Sequence, residues 1–289
     1  MTDGGASSPA VWTYWEDPPR RARPAYLDLC LETIERHAPP SPLRVLSRGD
    51  ARTWLPDLDL ERWEALPAPN FRSDYVRSRV LQRHGGIWID IDTVALAPLG
   101  TLLDELDETG MVCFGRELGR FFGGLCAASP GAAFVDAWVD AQDWALSKST
   151  DWSTLPYPAL AQDVTWSLAR RLPWKSLPME KVAPVPWYQW RRFFSRLESP
   201  RRLLAASPVT VVLWNAVMDP LLRETGRDDL LASRILLARL LRTGLGLSTP
   251  EQEEDLRTLL HVLSAVRFSP AVQRLELATR RTLDRRARR

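Results

Sequence analysis

Residues 70–92 read NFRSDYVRSRVLQRHGGIWIDID, and the fold of the whole chain is decided there. Val76, Val80 and Leu81 recur at helical spacing, and the glycine pair Gly85-Gly86 stops the repeat. The spacing predicts a helix capped by Asn70 or Ser73, followed at once by the strand IWIDID. With Asp74 at zero and 100° per residue, the apolar arc lies between about 200° and about 340°, with Ser78, Arg79, Gln82 and Arg83 opposite. Arg77 falls inside that arc, with Asp74 beside it. A charge on a buried face is costly unless it is paired or meets a ligand, so Arg77 is either half of an internal i,i+3 ion pair or a binding residue.

In the strand, Asp90 and Asp92 are two apart and project from one face at the carboxyl end, while Ile89 and Ile91 point into apolar packing. Two like charges so close repel unless water or a cation lies between them. Open α/β sheets place their ligands outside the carboxyl ends of the strands. Carboxylate oxygens with no Cys or His nearby suit a hard ion, Mn²⁺ or Mg²⁺, which takes further oxygens from substrate phosphates.

Working outward, VWTYW (11–15) alternates as a strand and is stopped by Asp-Pro-Pro. A helix from about Pro24 to His37 carries Leu27, Cys30, Leu31 and Ile34, and LRVLS is a second strand, so the chain opens β-α-β. A short helix is expected around Leu60 to Leu66. Strands are expected at 111–115, 124–129 and 209–214, with helices near 131–147 and 158–172. Beyond Pro220 the pattern is helical to the end. Strands interleaved with helices argue for an α/β sheet. The organisation that follows is a loose lead-in at 1–10, a domain at 11–219, and a helical extension at 220–289 that packs on it and ends in an arginine-rich tail.

Composition excludes several classes. The 38 basic and 36 acidic residues leave a formal charge of +2, too little for a global field that would hold nucleic acid. Cys30, Cys113 and Cys126 are odd in number and widely spaced, which predicts buried free thiols. Gly119 and Gly123-Gly124 do not form a G-x-x-x-x-G-K phosphate loop. His84 reads as packing or capping at its helix end, and His37 and His261 have no partners in sequence. No signal peptide or long apolar run is legible, which predicts a cytoplasmic protein. The arginines between Arg267 and Arg289 read as a solvated helix end or as a peripheral contact with anionic lipid.

Ser73-Asp74-Tyr75-Val76-Arg77 followed by Gly85-Gly86-Ile87-Trp88-Ile89-Asp90-Ile91-Asp92 resembles the DXD signature of glycosyltransferase family 32. That group includes capsular polysaccharide synthesis proteins and yeast mannosyltransferases, and is related to the clostridial glucosylating toxins. VWTYWEDPP resembles the opening strand of the capsular proteins, and LWNAV (213–217) their closing motif. The resemblance implies a GT-A-like, Rossmann-type nucleotide-sugar-binding sheet. It also implies metal-dependent transfer of a hexose from a UDP- or GDP-sugar to a hydroxyl acceptor, with retention of configuration. The acceptor would be a saccharide, a lipid-linked glycan or a small molecule.

By the same resemblance, Asp74 and Arg77 hold the ribose and sugar hydroxyls and the diphosphate. Asp90 lies on the sugar and ribose side, and Asp92 binds Mn²⁺ or Mg²⁺ directly with help from Asp90. Trp15 stacks on the nucleobase, with Trp12 as its rival. Asp163 contacts the acceptor or donor hexose. The sequence departs from the pattern at Val212, where a His is usual, and at Gly123-Gly124, where a sugar-contacting Asn is common; Asn215 stands in as the third contributor to the metal. The departures admit a catalytically idle nucleotide- or carbohydrate-binding homologue, and the toxins' example admits an effector that glucosylates protein.

Overall fold

The computed structural model describes residues 9–17, 22–148, 151–198 and 200–247. The β-α-β opening forms as β1 (Val11–Tyr14), α1 (Ala25–His37) and β2 (Leu43–Leu46). The two strands are parallel, with Val11 opposite Leu43. Leu27, Cys30 and Ile34 of α1 are fully buried, as their spacing requires. Short α2 (Ala51–Trp54) and α3 (Leu60–Glu64) lead to α4 (Pro69–His84), which carries the first half of the deciding stretch.

Neither Asn70 nor Ser73 caps α4. The helix starts one turn earlier than Ser73, on an extended Ala68 with Pro69 at the first position, where a fixed φ and a missing N–H do no harm. Its end is as expected: Gly85 has φ +63° and donates its N–H to the Leu81 carbonyl at 2.9 Å. A Cβ on Gly85 would lie 2.7 Å from the Ala128 carbonyl oxygen, so the turn into the next strand also needs glycine for space.

That strand, β3 (Gly86–Ile89), is shorter than IWIDID. The chain leaves the ladder after Asp90, whose N–H still bonds the Gly124 carbonyl at 2.7 Å, and turns into β4 (Thr93–Ala95). After β5 (Met111–Phe114) and β6 (Leu125–Ala128) come α5 (Ala133–Ser147), a π turn at Ala159–Asp163, α6 (Val164–Arg171), β7 (Lys175–Leu177), α7 (Met179–Val182) and α8 (Pro200–Leu204). β8 (Thr210–Val212), α9 (Asn215–Leu222), α10 (Arg227–Ala232) and α11 (Leu236–Leu245) complete the described chain. The six-stranded sheet has the order β2-β1-β3-β6-β5-β7, and β4 pairs with β8 in a separate antiparallel ribbon. Only β6 runs against its neighbours in the large sheet. The fold is therefore α/β with a mainly parallel sheet, the class read from the sequence.

Two cores flank the deciding stretch. One joins the sheet to α4 and α5 through Trp12, Val76, Trp88 and Trp138. The other joins the ribbon to α1 and α9–α11 through Tyr26, Leu29, Val94, Val211, Met218 and Leu237. Ile89 belongs to the first core and Ile91 to the second. Asp90-Ile91-Asp92 is thus a crossing between two cores rather than the end of one strand, and its carboxylates lie where the layers part.

The polar side of α4 faces a second polar helix, α5. Ser78 is fully buried, and it bonds Gln142 of α5 at 2.7 Å. Arg79 reaches Gln142 at 2.9 Å and Asp143 at 2.6 Å, and Gln82 reaches Asp136 at 3.0 Å. Amphipathic periodicity cannot separate a solvated face from one satisfied by a second polar helix. The helical extension is not separable at 219/220 either, because that boundary cuts α9, and α9–α11 share the second core with α1. Most of the lead-in and the arginine-rich end lie outside the described residues. Among those described, no helix is long and apolar enough to cross a membrane.

Candidate active site

Arg77 sits on the sheet side of α4 with 6% of its side chain exposed. One guanidinium nitrogen, Nη2, lies 3.2 Å from Asp74 Oδ1 on the same helix and 2.8 Å from Asp90 Oδ1 after β3. The intrahelical pair expected for a buried charge is present, and it extends to a second carboxylate. Trp88 fixes Asp90 from below: its indole N–H donates to the same Oδ1 at 2.8 Å, and its ring lies 5.2 Å under the Arg77 guanidinium. Arg77 Nε is buried without a partner, a donor that an anionic oxygen would satisfy.

Asp92 is buried beside this group and is held from the other core. Its Oδ2 accepts the backbone N–H of Asn215 at 2.5 Å, at the start of α9, where helical N–H groups favour an anion. Trp214, just before, has φ +64°, a left-handed conformation that a bulky residue adopts only where its surroundings enforce it. Its indole N–H donates to the Val185 carbonyl at 2.8 Å, and its ring meets Phe122 edge-on at 6.0 Å. The Asn215 side-chain oxygen is engaged by the Tyr26 hydroxyl of α1. Asn215 therefore acts on Asp92 through its backbone, with its own amide oxygen occupied.

Three carboxylates against one guanidinium leave the cluster short of positive charge. Burial pushes the Asp74 carboxyl up to about 7, with Arg77 opposing the shift and Asp90 adding to it. Burial, then the repulsion of Asp90, pushes Asp92 up to about 7 as well. Asp90 and Asp92 are the groups that could hold a hard cation. Among the described residues no group of three or more His, Cys, Asp or Glu converges on one point. Two carboxylates with an unsatisfied negative excess fit an octahedral ion that draws its other oxygens from phosphate and water.

The other sequence candidates fall in different places. Trp12 is a core residue, 2% exposed, with its indole N–H on the Gly85 carbonyl at 2.9 Å and its ring edge-on to Trp54. It cannot stack on a base without dismantling the β1–α4 junction. Trp15 lies one residue beyond β1, half-buried, at the same sheet edge as Asp90, since β1 and β3 are parallel with Trp12 opposite Trp88. Val212 pairs with Thr93 across the ribbon and is buried in the first core, which accounts for an apolar residue there. His84 packs on Trp12 and bonds the Trp54 carbonyl. All three cysteines are buried free thiols.

Asp163, at the end of the π turn, lines a cavity of about 430 Å³ with Arg120, Phe121, Pro158, Gln162 and Trp166. A line of contacts leads from the cavity wall to Arg77. Phe121 meets Trp138 edge-on, and a Cβ on Gly123 would touch both Trp138 and Arg77. Tyr157 precedes Pro158 and leaves 68% of its surface exposed; its phenol is pushed up, first by desolvation of the hydroxyl and then by the fields of Asp74, Asp90 and Asp92. Tyr157 was invisible in the sequence because a lone tyrosine in a proline-flanked loop has no periodicity. Gly123 and Gly124 also acquire a reason: a Cβ on Gly124 would lie 2.4 Å from Asp90 Oδ2, and one on Gly123 would lie 3.0 Å from Arg77 Nη1. A larger residue at either place would collide with the cluster.

Residues 3–120 match the capsular polysaccharide synthesis protein family. The match takes in β1, α4, β3 and the Asp90–Asp92 crossing, and stops short of Gly123, Asp163 and Asn215. No curated protein matches the sequence. Two of the solved structures to which the chain is similar are named as glycosyltransferases. PaToxG glycosyltransferase has 14% identity over 89% of this chain and 86% of its own, with a TM-score of 0.43. The apo form of the bifunctional glycosyltransferase WbbM has 15% identity over 91% of this chain and 52% of its own, with a TM-score of 0.48.

Proposed function

We propose that the chain transfers a hexose from a UDP- or GDP-sugar to a hydroxyl acceptor, with retention of configuration, at the cluster of Asp74, Arg77, Asp90 and Asp92. The observation that carries this reading is the buried Arg77, held between Asp74 and Asp90 with its Nε unpaired, beside a second buried carboxylate at the carboxyl edge of a parallel sheet. Such a group has an excess of negative charge when empty and becomes balanced when a divalent cation and a diphosphate enter together.

Mn²⁺ or Mg²⁺ at Asp90 and Asp92 would supply Lewis-acid stabilisation of the departing diphosphate. Arg77 faces the same oxygens and offsets the charge that grows on them, which acts on the transition state more than on the bound donor. Asp74 and Asp90 accept hydroxyls of ribose and sugar while keeping the guanidinium oriented. Trp15 supplies the face for the nucleobase. The acceptor occupies the cavity beside Tyr157, where Trp166, half exposed, offers an apolar face and Asp163 and Gln162 offer hydrogen bonds to hydroxyls.

A panel of UDP- and GDP-sugars with Mn²⁺ tests the reading, scored by donor hydrolysis and by the rise in melting temperature that a ligand of the native state produces. At least one donor should be hydrolysed and should stabilise the protein. If none does either, the reading is wrong; stabilisation without turnover would instead favour a binding homologue.

A further inference from the structure

The chain leaves β1 as Trp15-Glu16-Asp17, and Glu16 turns inward. Its Oε1 accepts Arg72 Nε at 2.5 Å and its Oε2 accepts Arg72 Nη2 at 2.7 Å, a two-pronged pair. The side chains are 13% and 10% exposed. Arg72 spends its third nitrogen, Nη1, on the Leu66 carbonyl at 2.6 Å, and the Tyr14 hydroxyl also bonds Glu16 Oε1. Arg72 belongs to the first turns of α4, two residues before Asp74 and five before Arg77. Trp15 itself is fixed at its backbone N–H, which bonds the Leu46 carbonyl at 2.9 Å, and at its indole N–H, which bonds Asp17 Oδ1 at 2.8 Å. Glu16 lies between these two anchors.

A buried ion pair gains little stability over apolar residues of the same volume, because the attraction is spent on desolvation. What it does supply is geometry. A forked guanidinium on a carboxylate fixes both distance and orientation, as a lysine would not. This pair ties the segment that carries Trp15 to the helix that carries Asp74 and Arg77, at the opposite end of β1 from the hydrogen bond of Trp12 to the Gly85 carbonyl.

We propose that Glu16 and Arg72 are positioning residues that set the distance between the Trp15 ring and Arg77, so that one nucleoside diphosphate meets both at once. The inference rests on the reading of Trp15 as the nucleobase platform. Its physical basis is preorganisation: when the second contact of a ligand is already in place, the ordering of a loop is not charged against binding.

The test is calorimetry of UDP, GDP and inorganic pyrophosphate, each with Mn²⁺, on the full chain. Trp15→Ala should weaken the preferred nucleotide by about tenfold or more, the usual worth of an aromatic platform, and leave pyrophosphate unchanged. Glu16→Gln should weaken the nucleotide by several-fold, again with pyrophosphate unchanged. The two together should be no weaker than Trp15→Ala alone, since residues that act through one another do not add. Glu16→Gln leaves Arg72 buried without its countercharge, so Glu16→Gln/Arg72→Met, which removes both charges, serves if the single variant does not fold.

Additive losses, or a native affinity in the variant without the pair, would overturn the proposal. An equal loss of pyrophosphate would also overturn it, since that marks a general loosening of α4. A Trp15→Ala protein with native nucleotide affinity, or a wild type that binds neither UDP nor GDP, removes the platform reading itself, and the pair then has nothing to position.

Discussion

Gly124→Ala isolates the placement of Asp90 from its chemistry. The backbone of Gly124 does not lie in the left-handed region, so alanine meets no conformational penalty there, only a collision. The new Cβ would stand 2.4 Å from Asp90 Oδ2 and 3.2 Å from its Cγ. Ordinary contact begins near 3.4 Å, so the carboxylate must recede by about 1 Å. Its Oδ1 now bonds Arg77 and Trp88 at 2.8 Å each. A retreat of that size takes both bonds past the length at which they count. Asp90 is more than a third exposed and can swing toward water, which limits the loss of stability to about 1–2 kcal/mol out of two charge-assisted bonds. The rate should suffer more, by about 100-fold, because a misplacement near 1 Å removes that much from an oriented site. Donor hydrolysis and thermal denaturation measure the two effects. Gly100→Ala is the control: nothing lies within 4 Å of its Cβ, and both readouts should be native. A folded Gly124→Ala protein that hydrolyses donor at the native rate would refute the role given to Asp90.

Asp92→Asn should lower turnover by orders of magnitude, yet without metal at pH 7.5 its melting temperature should equal or exceed that of the wild type. Asp92 holds its proton up to about 7 in the fold and releases it near 4 when unfolded, so wild-type stability falls as pH rises through that window; a steeper pH dependence in the variant would count against this. Arg77→Lys keeps the charge but loses the unpaired Nε donor and the planar group that lies over Trp88, and kcat for donor hydrolysis should drop by about 10²-fold or more, with a smaller change in KM. Asp163→Asn should raise the KM for acceptor several-fold and leave donor hydrolysis in the absence of acceptor unchanged; a fall in hydrolysis would place Asp163 on the donor instead. Gly244→Ala tests the second core, since its Cβ would lie 2.5 Å from the Ala95 carbonyl where α11 crosses β4; chemical denaturation should register a loss of about 1–3 kcal/mol in spite of the better helix propensity of alanine.

The sequence by itself determined the elements whose signals are local. The β-α-β opening, the helix that ends at Gly85, the placement of Arg77 on a buried face and the adjacency of two carboxylates after an apolar strand all follow from spacing within one or two turns of chain. Three-residue strands such as β4 and β7 carry no such signal, because too few residues alternate to distinguish them from loop, and they exist only because β8 and β5 offer them partners. The partners of the polar face of α4 carry no local signal for a related reason: Gln142 and Asp143, which satisfy it, lie more than sixty residues away. Glu16 and Arg72 are likewise 56 residues apart, and Gly124 and Tyr157 lie well beyond the reach of any local pattern from the carboxylates they adjoin. Tertiary packing also placed Trp12 in the core, since strand alternation alone cannot say which face of β1 meets α4. Helical and strand periodicity are properties of the backbone and can be read along it. Which buried charge finds which partner, and which residue must be small to let that happen, depends on where the two cores meet, and only the folded chain contains that junction.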